Sequence, residues 1–298
     1  MNDKIRPYQV IDLPPGRRIW LNALDLSWTR HAIYGLLEVD VTVPRQFIAG
    51  HKRRTGEALS FTGYLACCLA RAVEADKTVQ AYLKSRKQFV IYDDVDVGLM
   101  VEHKDGEKRA LMGHVVRSAN RKTYREIHDE IRRVQSEPAP ANRGMPNWFR
   151  SALLLPWPLS NLFKALLVLA VRRDPAILVS MEGTVAITSV GMFGGGHSGW
   201  GLTPTGTSLG LVVGGMAWKP AVVEGRVEPR EILNLTVLFD HDVVDGAPAT
   251  RFTRKLIELI ESGYGLDEID GRHPPVPEEG RSRQDLDAEK SANAVTIG

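Results

Sequence analysis

The sequence has almost no cysteine: two residues in 298, adjacent at Cys67 and Cys68. Neighbouring cysteines rarely meet disulfide geometry, so a disulfide scaffold is excluded. Both sit in the apolar stretch "YLACCLARAV", which predicts buried, reduced thiols. An imbalance of charge is also missing. With 38 basic and 36 acidic side chains the net charge is +2, which gives no reason to expect a nucleic-acid or acidic partner. The basic run "HKRRTG" at 51–56 is short and reads as a solvated helix face. No secretory signal opens the chain, because "MNDKIRPYQVIDLPPG" lacks an apolar segment, and a cytoplasmic protein is expected. No internal repeat is present. An uninterrupted membrane-length apolar run is absent too. "WFRSALLLPWPLSNLFKALLVLAV", residues 148–171, has the length of a span, but Arg150, Pro156, Pro158, Ser160, Asn161 and Lys164 interrupt it. The two prolines divide it into pieces each too short to cross a bilayer.

What is present is an ordinary globular balance, 43% hydrophobic and 25% charged. Residues 1–16, with Pro7, Pro14 and Pro15, read as an extended arm. "LLEVDVTV" at 36–43 alternates, with Leu37, Val39, Val41 and Val43 on one face of a half-buried strand. Pro44 is expected to open a helix running to about Thr55. "LSFTGYLACCLARAVEAD" is apolar nearly all round, which predicts a central buried helix. Two strands are expected around Asp93–Asp94, another in "RALMGHVVRSAN", and an amphipathic helix in "TYREIHDEIRRVQSE". Short strands with glycine turns follow in "GTVAITSVGMFGGG", "SLGLVVGGMAW", "KPAVVEGRVEP" and "EILNLTVLFD". "PATRFTRKLIELIESG" is a helix with Pro248 in its first turn and Gly263 at its end. Residues 266–298 are polar and without periodicity, a disordered tail. Strands and helices mix without strict alternation, so an α+β domain with a mixed sheet is expected.

The chemistry concentrates in "TVLFDHDVVDGAPATRF", residues 236–252. His241 directly follows a strand, and Asp245–Gly246 opens a helix. Such a corner presents side chains on a rigid edge. Asp245 could instead be a plain helix N-cap. A metal site of His241, Asp242 and Asp245 is not expected, because no second histidine lies nearby.

"FDHDVVDG" resembles the H-x-x-x-D-G motif of the chloramphenicol acetyltransferase-like superfamily. It is most similar to the catalytic domain of the dihydrolipoamide acyltransferases of 2-oxoacid dehydrogenase complexes. "TVAITSVGMFGG", "LLEVDVT", "YDDVDVGLMVE" and "KPAVVEGRVEPREILNLTVLFDHDVVDGA" resemble further stretches of that family. The resemblance covers residues 17–265 as one catalytic domain. It implies a mixed sheet flanked by helices, a homotrimer able to build larger assemblies, and channels between subunits. Coenzyme A would enter one end and a lipoyl group the other. It also implies roles. His241 is the general base, Thr188 the oxyanion donor from a neighbouring subunit, and Asp245, ahead of Gly246, the partner of an arginine at Arg18 or, failing that, Arg17.

Several positions depart from the family. Asp242 stands where arginine is usual, and a carboxylate beside His241 could raise its pKa. Ser189 replaces the common asparagine and is a substrate-contact candidate. "TPTGTS" replaces the usual loop, so Thr203 and Ser208 are the acceptor-contact candidates. His197, in "GGGHSGWG", reads as loop decoration. The chain begins at the catalytic domain, so a lipoyl group is expected on a separate carrier. Dehydrogenase-complex subunits are further possible partners. The alternatives are a small-molecule O- or N-acetyltransferase and a non-catalytic trimeric scaffold. The apolar insert 148–171 is expected to make a subunit contact; packing as extra core, lining a channel for a longer acyl chain and resting on a membrane surface are the other uses considered.

Overall fold

The computed structural model describes residues 9, 11–13, 17, 21, 30–85, 87–105, 108–137, 151–152, 154–156, 158–189, 197–204 and 206–270. The arm at 1–16 and the tail at 266–298 lie almost wholly outside the described residues. Strand β1 (Ala32–Asp40) leads into helix α1 (Thr42–Thr55) and helix α2 (Phe61–Ala75). A small hairpin of β2 (Tyr82–Ser85) and β3 (Gln88–Val90) precedes β4 (Val97–Asp105) and β5 (Lys108–Val116). Helices α3 (Tyr124–Ser136), α4 (Leu159–Arg173) and α5 (Ala176–Glu182) follow. The last elements are β6 (Val185–Ser189), β7 (Leu209–Val223), β8 (Arg226–Asp240) and α6 (Gly246–Glu261).

Six strands form one mixed sheet in the order β1-β8-β7-β6-β4-β5. β6 runs parallel to both β4 and β7, and the remaining pairs are antiparallel. One face carries the core. Val39, Leu99, Ile187, Leu211, Leu235 and Phe239 point into it, under α2, α3 and α6. α2 is the centre of that layer, as its all-round apolar sequence predicts. Ser60 caps it by accepting from the Gly63 N–H at 3.1 Å. Cys67 and Cys68 are free and buried in it, and burial pushes the Cys67 thiol up to about 12. α3 starts with a capping box between Thr123 and Glu126 and buries Ile127 and Ile131.

Two expectations need correction. The first strand ends at Asp40, not Val43. The Asp40 carboxylate accepts from the Thr42 N–H at 2.9 Å and turns the chain into α1, so Val43 is an exposed helical residue. The three glycine-punctuated segments at 208–240 are not short strands but two strands of 15 residues. Their real turn is Glu224–Gly225, where both residues have positive φ, the preference of a tight hairpin. Gly214–Gly215 is a bulge in the middle of β7, where the register against β8 shifts. Its glycines are demanded by the backbone of 197–199, which crosses the outer face there. A Cβ on Gly214 would lie 2.3 Å from the Gly199 carbonyl oxygen, and one on Gly215 2.1 Å from that of His197.

Candidate active site at the β8–α6 corner

β8 alternates until Phe239 and then delivers Asp240, which is 3% exposed. The chain turns over 241–243, with the Val243 and Val244 N–H groups both donating to the Asp240 carbonyl at 3.0 Å. Val244 is buried, and Phe239 stacks edge-on against Phe252 of α6 at 5.7 Å. The loop is thus pinned on both sides. His241 stands on its crest with its side chain 49% exposed, while its own N–H donates to the His31 carbonyl at 2.8 Å.

Asp245 lies at the N-cap position of α6 but makes no side-chain capping bond. Its carboxylate is 3.8 Å from His241 Nδ1 instead. The plain N-cap reading of Asp245 therefore fails in this structure. Gly246 opens the helix, and a Cβ there would meet nothing within 4 Å, so the packing of this protomer does not demand the glycine.

The Asp242 carboxylate pairs with His31 Nδ1 at 2.9 Å, and that bond raises the His31 pKa. Arg18 lies outside the described residues, and Arg17 is exposed. The arginine seen bracing the corner is one the sequence reading missed, Arg30. It sits two residues before β1. Its Nη1 meets Asp240 Oδ2 at 2.5 Å and donates to Ser208 Oγ at 3.3 Å, and its guanidinium lies 5.3 Å from the Tyr82 ring centroid. Ser208 is fully buried, so it belongs to this brace and not to an acceptor-binding surface. Replacing Arg30 by leucine leaves the Asp240 carboxylate buried and uncompensated, and a loss of about 3 kcal/mol is expected. A urea midpoint within error of wild type would contradict the brace.

Thr188 is near the end of β6. Val185 and Ile187 face the core, so Thr188 falls on the opposite face of the sheet by strand alternation, and Ser189 returns to the core side. These two hydroxyls therefore do not serve one site together. Thr188 pairs with Val212, which pairs with Thr236. His241 is five residues beyond Thr236 in the chain, about 16 Å further along the strand direction and two strands across. Within one protomer the candidate base and the candidate oxyanion donor do not meet. Thr203 is half-buried and donates to the Pro204 carbonyl at 3.2 Å, and His197 is exposed.

One grouping of possible metal ligands occurs among the described residues, Glu57, His128 and Asp129. Arg125 already occupies Glu57 at 2.5 Å and holds its carboxyl down at about 2, so a cation would have to displace a guanidinium. This cluster is an ion-pair network that ties α3 to α1 and to the loop after it.

A strand-to-helix corner carrying H-x-x-x-D-G, at the C-terminal end of β8 in a six-stranded mixed sheet, is the arrangement that the resemblance to acyltransferases implies. The sequence profile of the family described as 2-oxoacid dehydrogenases acyltransferase (catalytic domain) matches residues 6–142 and 165–266, and the chain belongs to that family. Residues 143–164, most of the apolar insert, fall outside the match. The lipoamide acyltransferase component of the branched-chain alpha-keto acid dehydrogenase complex of Pseudomonas putida is 33% identical over 96 residues, 31% of this chain and 22% of that protein. The mitochondrial dihydrolipoyllysine-residue succinyltransferase component of the 2-oxoglutarate dehydrogenase complex of Bos taurus is 21% identical over 230 residues, 75% of this chain and 42% of that protein. The chain thus spans less than half the length of either relative. Among solved structures, Azotobacter vinelandii dihydrolipoamide acetyltransferase superposes with a TM-score of 0.61 at 20% identity, covering 87% of this chain and 94% of that one. That structure was determined to examine a serine, a histidine and an asparagine in the catalytic mechanism. At this identity it shows the fold, a mixed sheet with flanking helices.

Proposed function

We propose that the protein is an acyl-CoA-dependent acyltransferase that moves an acyl group between coenzyme A and a dihydrolipoamide-type thiol on a separate carrier, working as a homotrimer. The observation that carries the reading is the geometry of His241, a half-exposed imidazole held on a pinned turn with its Nδ1 3.8 Å from the Asp245 carboxylate. A thiol has a pKa of about 8.5, so an imidazole titrating near neutrality is matched to remove its proton. His241 Nε2 takes the proton from the acceptor thiol as its sulfur attacks the thioester carbonyl. The carbonyl oxygen becomes an oxyanion, and the Thr188 hydroxyl of a neighbouring subunit donates to it. Collapse expels the second thiolate, which takes the proton back from His241. Family membership and the names of the relatives support the substrate class. The separation of Thr188 from His241 within a protomer supports a site shared between subunits.

The test is direct. The purified protein is incubated with acetyl-, succinyl- and branched-chain acyl-CoAs, with free dihydrolipoamide or a lipoylated carrier domain, and release of CoA thiol is followed. Release that depends on the dithiol is expected with at least one acyl-CoA. Transfer to chloramphenicol-like alcohols or to amines, with none to the dithiol, would replace this reading by that of a small-molecule acetyltransferase.

A further inference from the structure

The corner holds two imidazoles, and the acyl-transfer steps above use one of them. His31 is the last residue before β1 and lies directly opposite His241. Ala32 pairs with Asp240 in the β1–β8 ladder, and one step further the His241 N–H donates to the His31 carbonyl at 2.8 Å. Cross-strand neighbours at this spacing have Cβ atoms about 5 Å apart. Both side chains are open, His31 at 80% and His241 at 49% exposure. Each has a carboxylate from the turn beside it, but the two pairs are unequal. His241 Nδ1 is 3.8 Å from Asp245, beyond a hydrogen bond, whereas His31 Nδ1 is 2.9 Å from Asp242, within one.

An ionised carboxylate only accepts, so His31 Nδ1 carries a proton. Its Nε2 has no partner among the described residues. The charges around the ring decide what that nitrogen offers. The bond to Asp242 raises the His31 pKa, and the charge of Asp240 adds to it. Arg30, the cation next to His31 in the chain, is itself bound to Asp240. The other charged or titratable groups of the corner are His241 and Asp245. The cationic form of His31 is thus favoured, and in that form Nε2 carries an N–H donor. His241 takes a proton from one thiol and returns it to the other, so both sulfurs come within reach of its ring. An exposed donor one strand away flanks that position.

We infer that His31 is a second catalytic residue of the acyl transfer: as an imidazolium held by Asp242, it donates a hydrogen bond from Nε2 to the sulfur that leaves the thioester. The inference rests on the acyl-transfer reading and adds one contact to it. When the tetrahedral intermediate collapses, the C–S bond breaks and its electron pair goes to the departing sulfur. The His31 N–H stabilises that thiolate until His241 returns the proton. His31 itself gives up no proton and is unchanged by the cycle. Its contribution is present below its pKa and lost as pH rises through it. It therefore gives kcat an alkaline limb above the ordinary histidine value of 6.5.

The test is the pH profile of kcat for the full chain, with dihydrolipoamide as acceptor and whichever of acetyl-, succinyl- and branched-chain acyl-CoA the wild type turns over. His31→Ala is expected to lower kcat about a hundredfold, the lower end of what a positioned proton-bearing group contributes, with the KM for acyl-CoA little changed. The ring is exposed and the backbone carbonyl that holds the turn is kept, so folding should be unaffected. His31→Arg, a cation at every working pH, is expected to regain most of the rate and to show no alkaline limb. Asp242→Asn, which removes the charge beside His31 Nδ1, is expected to move the limb to lower pH. A His31→Ala variant with near-wild-type kcat overturns the inference and leaves the acyl-transfer reading standing. A loss that His31→Arg does not recover, with the alkaline limb still in place, shows a merely structural role and overturns it too. A wild type that transfers to no dithiol removes the acyl-transfer reading and this role together.

Discussion

Replacing His241 by alanine is expected to reduce acyl transfer by about two to four orders of magnitude, the usual contribution of a positioned general base. The loss should fall on kcat, because the imidazole acts on the proton of the attacking thiol and not on the binding of coenzyme A. Folding should be nearly unchanged. The side chain is half exposed, and the bond that holds this residue in the turn is its backbone N–H to the His31 carbonyl, which alanine keeps. Asp245→Asn should act more mildly. It retains a polar group opposite Nδ1 but removes the charge that favours the imidazolium formed during transfer. A His241→Ala variant with near-wild-type turnover would remove the mechanism.

Thr188→Val is expected to cost about two to three orders of magnitude, the effect of deleting one oxyanion donor. Valine matches the shape of threonine and suits a strand, so the sheet should be undisturbed. Thr188→Ser, which keeps the hydroxyl, should restore most of the rate. This pair of substitutions separates catalysis from packing. An ordinary strand threonine would tolerate valine and give no advantage to serine. Ser189→Ala should change little by comparison, because Ser189 falls on the core side of β6.

The chemistry of the corner was legible because it is local. The alternation of Leu233, Leu235, Val237 and Phe239 marks the end of β8, and Gly246 with Pro248 marks the start of α6. His241 and Asp245 fall between these two signals, so their placement follows from short-range pattern alone. α2 and α3 were legible for the same reason, one from its continuous apolar surface and one from the spacing of Ile127 and Ile131. What escaped depends on contacts distant in sequence. Arg30 reaches Asp240 across 210 residues, and no local feature of "SWTRHAIYG" distinguishes it from a surface arginine. The Gly214–Gly215 bulge looks like a turn in the sequence. Only the backbone of 197–199 lying against it explains why a strand carries two glycines there. The bond between Asp242 and His31 escaped for the same reason, since it spans 211 residues.

The central claim is that His241 of one subunit and Thr188 of the next complete a single site. It is tested most directly by mixing two inactive variants. His241→Ala and Thr188→Val are denatured together, or co-expressed, and reassembled as mixed trimers. Each site draws its base from one subunit and its hydroxyl from another, so about a quarter of sites in a random equal mixture carry both groups. The account predicts recovery of roughly that fraction of wild-type activity, with neither variant recovering when reassembled alone. Mixed trimers that form, by mass and by tag exchange, yet stay as inactive as the separate variants would contradict it.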